Sequence, residues 1–234
     1  MLCRRHNDLA KMCAVFSEQA YRCDIKDGTF IEDKQTDCQA FVTRMSNDVI
    51  VTGQGTTTLK DWAVDLQVWR THVSYLNNTK VHAGFVKAYD AIREAVHVEI
   101  KKHIENGCTR IICTGHSLFG AIATIAALDC AFIYDLPVCC VTFGSPRVGS
   151  KGFAKCFNNN VDVSIRFVRN KDPITFTPLP LRFRHVRGST ALKDTTTCFG
   201  CGVDDHSMLG YRKCVHGYEG HMRAKELHTG QTRV

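Results

Sequence analysis

The stretch Thr109-Arg110-Ile111-Ile112-Cys113-Thr114-Gly115-His116-Ser117-Leu118-Phe119-Gly120-Ala121 constrains this chain more than any other. A short apolar run meets a Gly-His-Ser corner, and beyond it Ala and Ile recur at helical spacing as far as Asp129, which reads as strand, tight turn and helix. A serine at such a turn lies between the carboxyl end of a buried strand and the amino end of a helix, where backbone N–H groups and the helix dipole favour a developing oxyanion. Ser117 is therefore a candidate nucleophile. The competing reading is a plain strand-to-helix turn in which Ser117 only caps the helix. A G-x-S-x-G elbow needs small neighbours because the turn is sharp, and here Gly115 fits, but Phe119 stands where the second glycine is expected and Gly120 comes one place late.

The chain has 234 residues, most economically one domain over 1–234, and at that length it buries roughly 70–75% of the surface that its unfolded form exposes. No staple is needed to hold such a core. Its composition is that of an ordinary globular domain, with no internal repeat or low-complexity run. The net charge is +7, with Arg4-Arg5 near the start and Arg182, Arg184 and Arg187 clustered later. A solvated basic surface is the plain reading, and attraction to anionic lipid head groups the sharper one. No arginine-rich arm or aromatic-studded RNA motif points to nucleic acid. Thirteen cysteines accompany a first segment, residues 1–8, without the apolar core of a secretory signal. Reduced thiols in a cytoplasmic compartment are the expectation. The longest apolar region, residues 120–141, is broken by Asp129, Asp135 and Pro137, so it is expected to be a buried helix followed by a buried strand and not a membrane span.

Residues 9–21 read as an amphipathic helix with Leu9, Met12, Cys13, Phe16 and Ala20 on one face. Two β-rich runs, 38–44 and 48–52, joined at Ser46-Asn47, form a hairpin that delivers the chain to Gly53-Gln54-Gly55-Thr56. Residues 66–73 alternate as a strand, 84–105 form a long helix stopped by Asn106-Gly107, and 137–143 and 163–168 are buried strands. Strands alternating with helices over short connections imply a mostly parallel central sheet with helices on both faces, and ligand sites at the carboxyl ends of its strands.

A serine hydroxyl is a poor nucleophile until a histidine takes its proton and a carboxylate holds that histidine in the right tautomer. In the order serine, acid, histidine, Asp172 is the outstanding acid, because it follows the 163–168 strand and Pro173 biases it to an extended or turn conformation. Asp162, at a strand start, reads as structural. Two histidines compete for the base. His185 lies in an alternating strand-like run and reads as structural, whereas His206 sits where a loop gives way to a late helix and is the favoured base. His116 reads as packing, pointing away from the nucleophile. A rival reading makes Cys198, Cys201, His206, Cys214 and His216 into zinc ligands, but the later spacings lack the regularity of a finger or ribbon.

With these residues in hand, the chain resembles the class 3, fungal-lipase-like branch of the α/β-hydrolases. Six segments carry the resemblance in order: residues 50–56 with Asp61-Trp62 and Asp65-Leu66; Val81-His82-Ala83-Gly84-Phe85; Gly115-His116-Ser117-Leu118 with Gly120-Ala121; residues 142–149; Asn170-Lys171-Asp172-Pro173; and His206-Ser207-Met208 with Tyr211. The resemblance implies an α/β-hydrolase fold and a serine hydrolase of acyl-lipid esters, with Ser117 as nucleophile, His206 as general base and acid, and Asp172 as orienting carboxylate. Thr56 and the N–H of Leu118 would bind the oxyanion, and residues 57–64 with Trp62 would form a short lid. No metal or cofactor, nucleic acid or obligate protein partner is implied, while a peripheral membrane or lipid-droplet surface is. Three departures stand out: Gln54 before the Gly-Thr pair, Phe119 in the elbow, and a 185–189 stretch that only loosely follows the family's histidine-glycine-glutamate pattern. They make a catalytically impaired lipase fold that binds lipid or a protein the alternative.

Overall fold

The computed structural model describes residues 2–55, 69–169, 171–192, 203–217 and 225–226. Thr56, the lid segment 57–64, and Cys198 and Cys201 of the zinc reading lie outside the described residues.

One sheet positions everything that follows. Its strands run in the order β1 (Thr29–Asp33), β2 (Cys38–Met45), β3 (Asp48–Gln54), β6 (Arg110–His116), β7 (Val138–Phe143) and β8 (Val163–Arg169), after which β9 (Ser189–Leu192) and β10 (Lys225–Glu226) both pair with β8. β1, β2 and β3 are antiparallel, and β3, β6, β7, β8 and β9 form parallel pairs. The hairpin between β2 and β3 turns at Ser46, whose φ is 56°. A separate ribbon of β4 (Arg70–Val73) and β5 (Thr79–His82) precedes the long helix α2 (Ala83–Glu105). β4 is shorter than the expected 66–73, of which residues 66–68 are not described.

The central strands are apolar on successive residues because both faces are covered. In β6, Ile111 and Cys113 join the core beneath α2, α3 (Ser117–Ile133) and α4 (Lys151–Asn160), while Ile112 joins the opposite core with Leu9, Ala10, Cys13 and Ala14 of α1 (Leu2–Arg22). β7 divides the same way, Val138 and Cys140 to one face, Cys139, Val141 and Phe143 to the other. Met208, Tyr211, Cys214 and Val215 of α5 (Met208–His216) complete the α1 side. Every residue of α3 from Ser117 to Ala131 is buried, as expected for a helix apolar all round. Cys214 thus packs in a hydrophobic core, and among the described residues no group of histidine, cysteine or carboxylate side chains could hold a metal ion. None of the ten cysteines whose side chains are described is in a disulfide. Among the described residues no helix is long and apolar enough to cross a membrane.

Candidate active site

Ser117 is the first residue of α3 and has φ 57°, the left-handed region, in a residue that is not glycine. That conformation costs roughly 1–2 kcal/mol and persists only where the surroundings enforce it. It weighs against the capping reading of the serine. The N-cap is His116, no side chain caps the helix, and the buried Ser117 Oγ has no hydrogen-bond partner. A capping serine would bond to a first-turn N–H, and this one does not.

Phe119 fits the elbow because two other residues lack side chains. Its ring is wholly buried, and a Cβ on Gly53 would lie 2.1 Å from its Cε2, while one on Gly115 would lie 2.8 Å from its Cδ1. The ring therefore takes the space above two glycines on β3 and β6. Gly120 supplies the close approach expected one place earlier, since a Cβ there would meet Ser145 Cβ at 2.9 Å and Gly115 O at 3.1 Å. The elbow's departure is compensated by small neighbours, and Leu118 stays buried in the first turn of α3.

Asp172 and His206 come together from opposite ends of the downstream chain. Asp172 follows β8, is 0% exposed, and caps the short turn Pro173–Phe176 by accepting the Ile174 N–H at 2.9 Å. Its carboxylate also accepts from His206 Nδ1, at 2.9 Å to Oδ1 and 2.8 Å to Oδ2, and from the Tyr211 hydroxyl at 2.6 Å. A carboxylate can only accept, so Nδ1 carries a proton, and in the neutral imidazole it is Nε2 that holds the lone pair. Nε2 is buried and without a hydrogen-bond partner, as is Ser117 Oγ. Gly144, which follows the residue paired with His116 across β6 and β7, lies beneath this assembly: its Cβ would stand 2.7 Å from Asp172 Oδ2 and 3.1 Å from His206 Cε1. The sheet ends of β6, β7 and β8 thus bring Ser117, His206 and Asp172 to one edge. Gly55 closes it from β3, since its Cβ would be 3.4 Å from Ser117 Cβ, and the expected oxyanion residue Thr56 comes next in the chain.

Four further residues hold this edge, and the sequence signals little of what they do. His116 packs, as expected, but against the base itself: its ring lies 4.5 Å from that of His206, and its Nε2 is 2.6 Å from the His206 carbonyl oxygen. Burial and then the neighbouring His206 push its pKa well below the usual value. A neutral imidazole donating from Nε2 must accept at Nδ1, and the Tyr21 hydroxyl is 2.8 Å away to donate there. The end of α1 is thereby tied to the backbone of the base. Tyr211, noted only as part of the family resemblance, donates to Asp172 and accepts the Arg169 N–H at 3.1 Å, and burial and then the Asp172 charge raise its pKa well above 10. Arg169 clamps the residue before the base, donating to the Asp205 carbonyl at 2.9 Å and to its carboxylate at 3.0 Å. Spacing alone could not find these contacts, which join residues 36 to 95 positions apart.

The residues read as structural are so in the fold. Asp162 accepts the Val138 N–H at 2.8 Å, and His185 donates to the Thr175 carbonyl at 2.7 Å, with its pKa pushed down to about 3 by burial, then by Arg166.

Residues 50–181 match the family model for lipase, class 3. A secreted mono- and diacylglycerol lipase of Fusarium solani is 27% identical over 143 residues, covering 59% of this chain and 42% of the relative. A chloroplastic phospholipase A(1) of Arabidopsis thaliana is 31% identical over 150 residues, covering 56% and 34%. The chain thus spans less than half the length of these curated relatives. A crystal structure of a triacylglycerol lipase from Penicillium expansum superposes with a TM-score of 0.72 at 20% identity, covering 95% of this chain and 91% of that one.

Proposed function

Since the chain belongs to the class 3 lipase family, we propose that it is a serine hydrolase cleaving carboxylic ester bonds of acyl lipids in two steps. Ser117 Oγ attacks the ester carbonyl as His206 Nε2 takes its proton, and the same nitrogen then protonates the leaving alkoxide. A water activated by His206 releases the acyl group from Ser117. Asp172 holds the Nδ1–H tautomer and offsets the charge of the imidazolium that forms. The oxyanion is bound by the Leu118 N–H at the amino end of α3 and by Thr56. Ser117 Oγ and His206 Nε2 share no hydrogen bond at rest, and such bonds commonly tighten only as substrate binds.

The observation that carries this reading is the pairing of a left-handed, uncapping Ser117 with a His206 whose Nδ1 is locked by Asp172 while its Nε2 stays unpartnered. Neither feature serves the fold alone. The relatives' names, a mono- and diacylglycerol lipase and a phospholipase A(1), support an acyl-lipid substrate, whether acylglycerol or phospholipid. The reading is tested by turnover of p-nitrophenyl butyrate. The wild type is expected to be active, and Ser117→Ala and His206→Ala to lose activity by at least about a thousandfold. A wild type without turnover of short-chain or lipid esters would instead leave a lipase fold that only binds.

A further inference from the structure

The last turn of α1 reaches the catalytic edge from outside the sheet, and one hydroxyl there touches both halves of the site. Two ties seat the helix for this. The Ser17 hydroxyl lies 3.1 Å from that of Thr114 on β6, and the Glu18 carboxylate accepts from Arg212 of α5. Tyr21 follows Ser17 by one turn on the same side of the helix, and the chain turns away at Cys23, whose φ is 50°. The Tyr21 hydroxyl donates to His116 Nδ1 at 2.8 Å, and His116 Nε2 donates to the His206 carbonyl at 2.6 Å. On its other side the hydroxyl lies against Gly55. A Cβ there would be 2.5 Å from the oxygen, and the Gly55 backbone is its second hydrogen-bond partner. A hydroxyl donates one proton and accepts through its lone pairs, so a backbone N–H on one side and an imidazole nitrogen on the other are compatible. Burial pushes the Tyr21 pKa well above its ordinary value, which keeps that proton in place.

Each group held in this way is, or adjoins, a reacting one. Gly55 precedes Thr56, the expected oxyanion residue, and His116 precedes Ser117. His206 is the base, and its ring lies 4.5 Å from that of His116. Asp172 holds one edge of the His206 ring, whereas His116 fixes the main chain from which the ring hangs, so the two contacts restrain different motions. A displacement of about 1 Å at a reacting group can cost about a hundredfold in rate. We propose that Tyr21 is a positioning residue for both halves of the site, its hydroxyl holding the oxyanion strand through Gly55 and the base through His116. The inference rests on the hydrolase reading above. It gives α1 a part in turnover that packing alone does not require.

The test compares Tyr21→Phe, His116→Phe, the double variant and Ser17→Ala. Tyr21→Phe keeps the ring and removes one oxygen, and His116→Phe keeps an aromatic ring against His206 while breaking the relay. Ser17→Ala weakens the seating of α1 and leaves the relay intact. With p-nitrophenyl butyrate, Tyr21→Phe is expected to lower kcat at least about tenfold, with KM within about twofold of the wild type. Butylboronic acid, whose tetrahedral adduct on a serine mimics the intermediate, should bind at least about tenfold more weakly. His116→Phe should also lose kcat, and the double variant no more than the worse single one, because both changes interrupt one chain of contacts. Ser17→Ala should melt lower with kcat within about twofold of the wild type. An unchanged kcat in Tyr21→Phe, an equal loss in Ser17→Ala, or losses that multiply in the double variant would overturn the relay. Should His116→Phe not fold, Tyr21→Phe and Ser17→Ala decide. The imidazole N–H resonances of His116 and His206, followed by NMR, read the same contacts without turnover: Tyr21→Phe should shift both and Ser17→Ala neither. If the wild type turns over no ester, the hydrolase reading fails and these resonances decide alone. Shifted in Tyr21→Phe, they uphold the restraint on His206, and unshifted they overturn it.

Discussion

Phe119 and Gly53 are predicted to be energetically coupled across the elbow. A methyl group on Gly53 would lie 2.1 Å from Phe119 Cε2 and 2.3 Å from the Gln39 carbonyl oxygen. Gly53→Ala therefore displaces both an aromatic ring and a neighbouring strand, and overpacking of that kind costs about 1–3 kcal/mol, with the upper end expected where backbone must move. Phe119→Ala deletes a ring that is 0% exposed, for about 3–5 kcal/mol. At roughly 2–4 °C per kcal/mol for a chain of this size, the melting temperature should fall by about 6–20 °C. Together the two changes should cost less than their sum. Without the ring, the alanine at 53 partly fills the space left behind, and only the clash with Gln39 remains. Urea unfolding of the wild type, both single variants and the double variant, analysed at a common slope, should give a coupling of at least about 1 kcal/mol. Additivity within about 0.5 kcal/mol, or a harmless Gly53→Ala in the presence of Phe119, would refute the claim that these glycines accommodate the ring.

Tyr211→Phe removes a hydroxyl that donates to Asp172 and accepts from Arg169. It should lower kcat about tenfold with little change in KM and reduce stability by about 1–3 kcal/mol, read by ester kinetics and urea unfolding. Arg169→Gln leaves the Asp205 carboxylate without its ion-pair partner, so it should destabilise the fold by about 3–5 kcal/mol while Arg169→Lys restores part of the loss. His116 and His185 both have folded pKa values below the ordinary one, that of His185 about 3. Below pH 6.5 the unfolded chain takes up protons that the fold refuses, so their contribution is full above that pH. It should fall by about 1.4 kcal/mol per pH unit for each histidine as the pH drops below that value, for His185 down to about pH 3. Unfolding free energies at pH 7 and pH 5 should show that slope, and His185→Gln should remove one share of it.

The central sheet was legible because burial on both faces leaves a direct mark. Ile111-Ile112-Cys113 and Val138-Cys139-Cys140-Val141 are continuous apolar runs, and the residues of each divide between two cores. β1 leaves no such mark, since Thr29-Phe30-Ile31-Glu32-Asp33 lies at the sheet edge and is mostly solvent-facing. α4 has a weak sequence signature because only Phe153, Ala154 and Phe157 of its polar, asparagine-rich sequence are buried. At the site, chain order and turn chemistry led to Ser117, Asp172 and His206. The contacts that hold them, from Tyr21 through His116 and from Arg169 to Asp205, have no local signature. Phe119 was visible as an irregularity of the elbow, and its remedy lies at Gly53 on a different strand.

The most direct test is covalent. Incubation with a fluorophosphonate, followed by intact-mass and peptide analysis, should give one adduct on the Ser117 peptide of the wild type. None should form in Ser117→Ala, and labelling of His206→Ala should be slowed by at least about a hundredfold. An unlabelled wild type, or an adduct that persists in Ser117→Ala, would contradict the assignment of Ser117 as the nucleophile.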